Sequence, residues 1–183
     1  IKVETPEKLN VVSQGEKLSD FVKNSNRTVI WRENKPQEEI ILIADHYQVF
    51  TASHQSISLY AYLHDNDKAL AKKYFKATRS YIDLYSKLIA PYPYKKFALV
   101  ENIKQTGYGM PSFTLLGSRI IRFPFILQTS YPHEILHNWF GNGVYIRPDS
   151  GNWAEGLTTY LADHLLSEQM GKGGQYRLQE LMK

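Results

Sequence analysis

Residues 133–165 read HEILHNWFGNGVYIRPDSGNWAEGLTTYLADHL, with two histidines four positions apart and glutamates at 134 and 155. On an α-helix, residues four apart lie one turn above each other on the same face, so His133 and His137 can direct two imidazoles at one point. The connection between His137 and Glu155 contains three glycines and a proline, which allow the chain to turn back on itself. Because a catalytic zinc ion takes three protein ligands and one open position, His133, His137 and Glu155 are the predicted ligands.

Glu134 is the predicted general base of this site. It lies beside His133 and within reach of a water molecule in the open position of the metal. Zinc lowers the pKa of such a water from about 15.7 to roughly 7, so Glu134 can accept its proton and pass it to a leaving amine. Two histidines at this spacing also occur by chance on amphipathic helices. The glutamate at the start of a second predicted helix is what favours a zinc site.

The remaining histidines do not share this pattern. These residues are His46, His54, His64 and His164. The first three lie in the strand-rich part without ligand-spaced partners, and the last lies one turn beyond the site, so we expect surface or hydrogen-bonded core positions for all four.

Composition sets the class of protein. With 43% hydrophobic and 22% charged residues in 183 positions, the chain is expected to fold as a globular protein. The net charge of +4 comes from scattered lysines, which argues against nucleic-acid binding. The chain has no cysteine, which excludes disulfides, thiolate ligands and a cysteine nucleophile. No signal peptide or membrane span is visible. We expect a piece of a longer protein, and the missing cysteines and the Ile1 start favour a periplasmic or extracellular location.

The pattern of apolar residues predicts an α+β fold that changes character near residue 64. Strands are predicted at TVIW, EIILIA and the alternating SISLYAYL, and a long helix over 67–89. Two further strands, at 97–101 and 112–117, flank the glycine-rich turn TGYGMP. Helices are then predicted over 131–137 and 154–168, with a last one at 175–183.

These residues resemble the alanyl aminopeptidase family of gluzincin zinc metallopeptidases, which includes leukotriene-hydrolase-type relatives. HEILHNWFGN followed by WAEGLTTYL is similar to the family's HExxH block and its downstream helix, and GYGMPSFTLLG to its G-x-M-E-N loop and following strand. The resemblance covers roughly residues 28–168. It implies one zinc ion held by His133, His137 and Glu155, with Glu134 as the base. It also implies that residues 1–63 end an N-terminal β domain and that residues 64–183 begin a thermolysin-like catalytic domain.

Three departures from the family pattern bear on function. The spacing from His137 to Glu155 is one residue shorter than usual, a small change in a loop. Gly109 stands where the family has the glutamate that anchors a free α-amino group, so Gly109 and Met110 are expected to bind substrate through their backbone. We expect the strand at 112–116 to pair with an extended peptide. The family's transition-state tyrosine would lie beyond residue 183.

The predicted function is aminopeptidase-type hydrolysis of a peptide substrate by a zinc-activated water. Two alternatives remain at this point. One is a zinc endopeptidase or a zinc hydrolase acting on a non-peptide substrate, because the anchoring carboxylate is replaced by Gly109. The other is a non-catalytic peptide-binding scaffold that keeps the fold. The isolated chain is expected to be inactive, because the tyrosine and the closing half of the cleft are expected to lie outside it.

Overall fold

The structure, a computed structural model, describes residues 1–182 and contains ten strands and five α-helices in that range. The strands are β1 (Lys2–Pro6), β2 (Asn10–Ser13), β3 (Glu16–Lys23), β4 (Asn26–Arg32), β5 (Leu42–Asp45), β6 (Gln48–His54), β7 (Ile57–Leu63), β8 (Lys96–Asn102), β9 (Gly107–Met110) and β10 (Phe113–Gly117). The helices are α1 (Lys68–Leu88), α2 (Ser130–Leu136), α3 (Trp153–Thr158), α4 (Leu165–Gln169) and α5 (Gly173–Leu181). A π-helical segment (Thr159–His164) joins α3 to α4, and two short 3₁₀ turns (Ile120–Arg122 and Pro124–Gln128) precede α2.

A five-stranded sheet in the order β6-β7-β8-β10-β9 forms the centre of the molecule. β7, β8 and β10 are parallel, and the two outer strands are antiparallel to their neighbours. Parallel neighbours need a crossover, and α1 supplies it between β7 and β8. The helix begins after Asp67, whose side chain accepts a hydrogen bond from the Leu70 amide, the usual role of an aspartate at a helix start.

The two faces of this sheet are covered by different layers. Residues of α1 and α2, including Tyr74, Tyr85 and Tyr131, pack on one face together with Phe97 and Leu99. The opposite face packs against Val12 and its neighbours, where β2 and β5 form a separate two-stranded ladder. Helix α2 is therefore held against the sheet close to the edge strand β9.

The N-terminal residues add a three-stranded antiparallel sheet in the order β1-β4-β3. Its buried face contains Val29 and Trp31. Two buried contacts join the N-terminal region to the central sheet. Lys96 Nζ donates to the Ser13 carbonyl at 2.5 Å, and the Gly15 amide donates to Ser112 Oγ at 2.9 Å.

The mixed sheet and helix content agrees with the predicted class. The predicted helix at 67–89 corresponds to α1, and the strands predicted at 97–101 and 112–117 correspond to β8 and β10. Lys183, the end of the last predicted helix, lies outside the described residues. The central sheet takes strands from both sides of residue 64, since β7 pairs with β8; the division into two domains there stays a prediction. Within residues 1–182, no helix is both long and apolar enough to cross a membrane.

The expected peptide-pairing role of residues 112–116 is wrong. β10 has β8 on one side and β9 on the other, so its backbone has no free edge. The sequence TGYGM, interpreted as a turn, contains the strand β9 at the edge of the sheet. Its glycines carry no side-chain pattern from which a strand could be recognised.

Candidate metal centre

The position of α2 is set by aromatic packing beneath it. Tyr131 is fully buried and meets Tyr74 of α1 edge to face, with ring centroids 4.7 Å apart. Its hydroxyl lies 2.6 Å from Thr78 Oγ1. Since Tyr131, Ile135 and Leu136 all face this core, the opposite face of the helix, which carries His133, is directed to the cleft.

The three predicted ligands converge. His133 lies in α2, and His137 follows its last residue. Glu155 lies in the first turn of α3, with one carboxylate oxygen 3.3 Å from His133 Nε2 and the other 3.2 Å from His137 Nε2. One ligand atom from each residue falls within 4.8 Å of the others, so the group could hold a metal ion.

Each histidine is oriented by a partner on its other ring nitrogen. His133 Nδ1 lies 3.0 Å from Asp163 Oδ2, and His137 Nδ1 lies 3.1 Å from the Phe140 carbonyl. These acceptors fix Nδ1 as the protonated nitrogen and leave Nε2 free to bind a metal, the arrangement typical of zinc-binding histidines. The donor set therefore fits a zinc ion.

The two imidazole rings also differ in their electrostatic surroundings, which shift their pKa values in opposite directions. Burial lowers the pKa of His137. Burial acts in the same direction on His133, but the hydrogen bond and negative charge of Asp163 outweigh it, and the pKa of His133 is raised. Asp163 thus stabilises positive charge on the side of the site occupied by His133.

Asp163 was not recognised from the sequence, because it lies eight residues after Glu155. In a regular α-helix, positions eight apart differ by about 80° around the axis, whereas positions seven apart differ by about 20°. The π-helical segment between them contains one extra residue per wide turn. Because of this extra residue, Asp163 lies on the same face of the helix as Glu155. A carboxylate two turns after a metal-binding glutamate is the signal that could have identified it.

The side chain of Glu134 extends from α2 toward the edge strand β9. Burial raises its pKa to about 7, and a hydrogen bond from the Gly109 amide acts in the opposite direction. A Cβ atom at Gly107 would come within 2.7 Å of Glu134 Oε1. At Gly109 it would come within 2.8 Å of His137 Cβ and 3.0 Å of the Glu134 carbonyl. The two glycines therefore allow β9 to lie directly against the helix.

Gly109 and Met110 line a cleft with the three ligands. The cleft encloses about 330 Å³ and is also lined by Glu134, Asn142 and Ile146. The Thr106 carbonyl accepts a hydrogen bond from the Gly117 amide of β10. In an antiparallel pair, the backbone groups of every second residue point to the partner strand. The backbone groups of Gly107 and Gly109 therefore point away from β10, toward the cleft. The Gly109 carbonyl accepts a hydrogen bond from Asn142 Nδ2 at 3.0 Å, a contact that the sequence did not predict.

The other histidines lie elsewhere. His54 Nε2 is 2.7 Å from Asp83 Oδ1, and His64 Nε2 is 3.2 Å from Asp45 Oδ2. His164 is buried, with Nε2 2.8 Å from Arg177 Nη1. His46 is exposed. These environments agree with the surface and hydrogen-bonded positions expected for them.

Comparison with known proteins finds similarity in solved structures. No family model and no curated protein matches the chain in sequence. Among solved structures, a mutant M1 zinc metallopeptidase from Deinococcus radiodurans is 18% identical, with a TM-score of 0.72. The same peptidase as a mutant bound to a Tyr-Ser-Ala substrate is 17% identical, with a TM-score of 0.71. A two-domain M1 zinc metallopeptidase mutant bound to L-arginine is 17% identical, with a TM-score of 0.72.

Each match covers 98% of this chain and 42% of the solved one. The chain therefore spans less than half the length of these peptidases. The agreement extends over both the strand-rich N-terminal region and the helices that carry the ligands. The chain has the fold of the corresponding part of M1 zinc metallopeptidases.

Proposed function

We propose that the full-length protein containing this chain is a zinc metallopeptidase of the alanyl aminopeptidase type, with a thermolysin-like catalytic domain that begins within this chain. The observation that carries the proposal is the convergence of His133, His137 and Glu155, with Glu134 lining the same cleft. The fold likeness to M1 zinc metallopeptidases supports the same conclusion. Because the chain spans only part of those structures, the activity is assigned to the full-length protein.

The chain's own residues account for binding and proton transfer. His133, His137 and Glu155 would hold the zinc ion, which when bound supplies a positive charge that acidifies water and polarises a carbonyl. Glu134 accepts the proton of the attacking water and returns it to the leaving amine. Asp163 keeps the His133 ring in the orientation that binding requires.

Recognition of a free amino terminus needs a negative charge, which Gly109 cannot supply. Glu38 and Glu39 line a second cavity of about 230 Å³ that shares Gly109, Met110 and Asn142 with the metal cleft. As acidic residues on the wall of this cavity, they would attract the α-ammonium group of a peptide whose amino terminus reaches it. This placement supports aminopeptidase-type hydrolysis. The alternative, a zinc endopeptidase or a hydrolase of a non-peptide substrate, is favoured by the absence of a carboxylate on β9 itself.

The test compares the full-length parent, Glu134→Gln and the exposed control Glu7→Gln on one peptide with a free or an acetylated amino terminus. We expect Glu134→Gln to retain zinc and to lose about 10²–10⁴-fold in kcat, while the control keeps the parental rate. Turnover by Glu134→Gln near the parental rate would exclude Glu134 as the base. An inactive parent with full zinc would support the non-catalytic scaffold.

The acetylated peptide separates the remaining candidates. An aminopeptidase should prefer the free amine, and the double variant Glu38→Gln and Glu39→Gln should reduce that preference. A parent that cleaves both peptides equally well would instead be an endopeptidase. A parent that cleaves neither peptide but hydrolyses a small ester would act on a non-peptide substrate.

A further inference from the structure

Asn138 directly follows the candidate ligand His137, and all the polar atoms of its side chain have partners. It is fully buried. Its Nδ2 donates to the Ile135 carbonyl at 2.8 Å. Its Oδ1 accepts hydrogen bonds from the Ser112 amide at 2.8 Å and from the Tyr92 hydroxyl at 3.2 Å. One buried amide thus joins the end of α2 to the turn between β9 and β10.

That turn has an unusual backbone. Met110 pairs with Phe113, so Pro111 and Ser112 alone connect the two strands. Ser112 has φ +67, a conformation that residues with a Cβ atom rarely adopt. Proline followed by a residue with positive φ is the arrangement of a type II turn. Type II turns match the twist of a two-residue hairpin poorly, so contacts outside the hairpin are needed to hold this one.

Ser112 has such contacts on two sides. Its amide donates to Asn138 on the side of the helix, and its Oγ accepts a hydrogen bond from the Gly15 amide on the side of the N-terminal region. Gly15 has φ +80, and a Cβ atom there would come within 2.2 Å of the Arg32 carbonyl. The turn is therefore held between Asn138 at the end of α2 and a second backbone segment that packs closely against Arg32.

Further along β9, the hydrogen bonds of Gly109 to Glu134 and Asn142 use backbone groups that a bound peptide would also need. The Gly109 amide donates to Glu134, and the Gly109 carbonyl accepts from Asn142. A peptide that adds to the open edge of β9 needs these same backbone groups. Ser112 and Asn138 are both fully buried and do not line the cleft, so the hydrogen bond between them would persist when a peptide is bound.

We propose that Asn138 and Ser112 are a positioning pair, which holds β9 in register with Glu134 and the metal ligands while an extended peptide occupies the strand edge. The inference rests on the proposed peptidase function. Neither residue touches the reacting atoms. Both act through β9, so their effect should grow with the length of peptide backbone that pairs with the strand.

The test uses Asn138→Ala in the full-length protein, with Thr78→Val as a matched control. Thr78→Val also removes buried hydrogen bonds, those to the Tyr74 carbonyl and the Tyr131 hydroxyl, but away from β9. Two substrates with the same first residue are compared: a tripeptide and an amino-acid 4-nitroanilide, which presents little backbone. We expect Asn138→Ala to lower kcat/KM at least tenfold for the tripeptide, mainly through KM, and less than threefold for the anilide. Zinc affinity should stay within threefold, and the control should leave the ratio of the two substrates unchanged.

Substitutions of the partner residue provide a second comparison. Glycine adopts φ +67 without strain, so in the Asn138→Ala background Ser112→Gly should retain more tripeptide activity than Ser112→Ala, which loses the same contact with Gly15. If Asn138→Ala does not fold, Ser112→Ala, which removes only the Gly15 contact, should shift the substrate ratio in the same direction by a smaller factor. Equal losses on both substrates, or loss of zinc, would mean a merely structural role and would overturn the pair.

A measurement without turnover separates this inference from the proposed function. Hydrogen exchange of the β9 amides, followed by mass spectrometry, should be faster in Asn138→Ala than in Thr78→Val. Unchanged exchange would overturn the positioning pair even in an active enzyme. An inactive parent would overturn the peptidase function, while the exchange rates would still decide whether Asn138 and Ser112 hold β9.

Discussion

At the scale of single residues, the candidate centre depends on two imidazoles whose other nitrogens are already engaged. His137 is oriented by the Phe140 carbonyl and His133 by Asp163. A histidine whose ring is fixed in this way loses little freedom on binding a metal. The two imidazoles and Glu155 therefore form a site that is preorganised for metal binding.

We expect one zinc ion per chain, and its loss in His137→Ala, because two remaining ligands cannot fill the coordination that zinc prefers. Elemental analysis of the full-length protein purified without added metal measures the stoichiometry. His64→Ala, which changes a histidine paired with Asp45 outside the site, should keep the zinc. Zinc retained unchanged by His137→Ala would rule out the ligand set.

Gly109 illustrates how little room the site has. A Cβ atom there would lie 2.8 Å from His137 Cβ, so Gly109→Ala must displace α2 or β9. We expect a loss of about 1–3 kcal/mol in the free energy of unfolding, the range for overpacked cores, together with weaker zinc binding. Chemical denaturation and competition with a chelator measure the two effects.

The matched control is Gly156→Ala in α3, where a Cβ atom would meet nothing within 4 Å. An alanine inside a helix should stabilise it by roughly 0.5–1 kcal/mol. If Gly109→Ala behaves like Gly156→Ala, β9 is not packed against the helix as described. The same crowding means that a carboxylate at position 109 would disturb the centre rather than anchor a substrate.

At the scale of secondary structure, the π-helical segment Thr159–His164 sets the register between Glu155 and Asp163. Removing Asp163 should weaken zinc binding about 10–100-fold, the usual effect of losing a carboxylate behind a ligand histidine. Deleting Tyr160, which is exposed, should convert the segment to a regular helix with Asp163 seven positions after Glu155. We expect this deletion to keep zinc affinity within about threefold of the parent, because both residues stay on one face.

Competition with a chelator measures zinc affinity in Asp163→Ala and in the Tyr160 deletion. Circular dichroism should show that both variants keep their helical content. If the deletion weakens zinc as much as Asp163→Ala does, the π-helical segment has another role than the register described here.

Elements with a regular spacing of apolar residues could be predicted from the sequence. Elements whose conformation depends on contacts with other elements could not. α1 shows apolar residues at spacings of three and four, and it was predicted to within a residue at each end. The π-helical segment could not be recognised from the sequence, because one extra residue in a turn does not change the residue types from which a helix is predicted. β9 has two glycines in four residues and becomes a strand only because β10 offers it hydrogen bonds. Asp163 and Asn142 were missed because their partners are distant in sequence and lie on other elements.

At the scale of the whole molecule, the N-terminal region and the central sheet share a buried lysine. Lys96, at the start of β8, is 1% exposed, and its Nζ lies 4.6 Å from the Trp31 ring centroid and 5.1 Å from that of Phe113. Its hydrogen-bond acceptor is the Ser13 carbonyl. Burial holds the pKa of Lys96 well below its usual range, an effect that the charge of Glu33 opposes and that of Lys17 reinforces.

The lowered pKa of Lys96 should make the free energy of unfolding depend on pH. Between the lowered pKa of the folded state and the unfolded value of about 10.4, the unfolded chain binds more protons than the folded one. The free energy of unfolding should therefore rise with pH through this window, and fall as pH decreases, by at most about 1.4 kcal/mol per pH unit. Lys96→Met should remove that slope, whatever its effect on stability at neutral pH.

Urea denaturation of the full-length protein at pH 7, 8 and 9 measures the slope, below the range where tyrosines ionise. Lys95→Met is the control, because Lys95 is exposed, and it should keep the parental slope. Parallel slopes for the parent and Lys96→Met would show that Lys96 is not held neutral by burial. A slope lost only in Lys96→Met would place its cause at the junction of the two sheets, the same junction through which Gly15 reaches the turn beside the metal cleft.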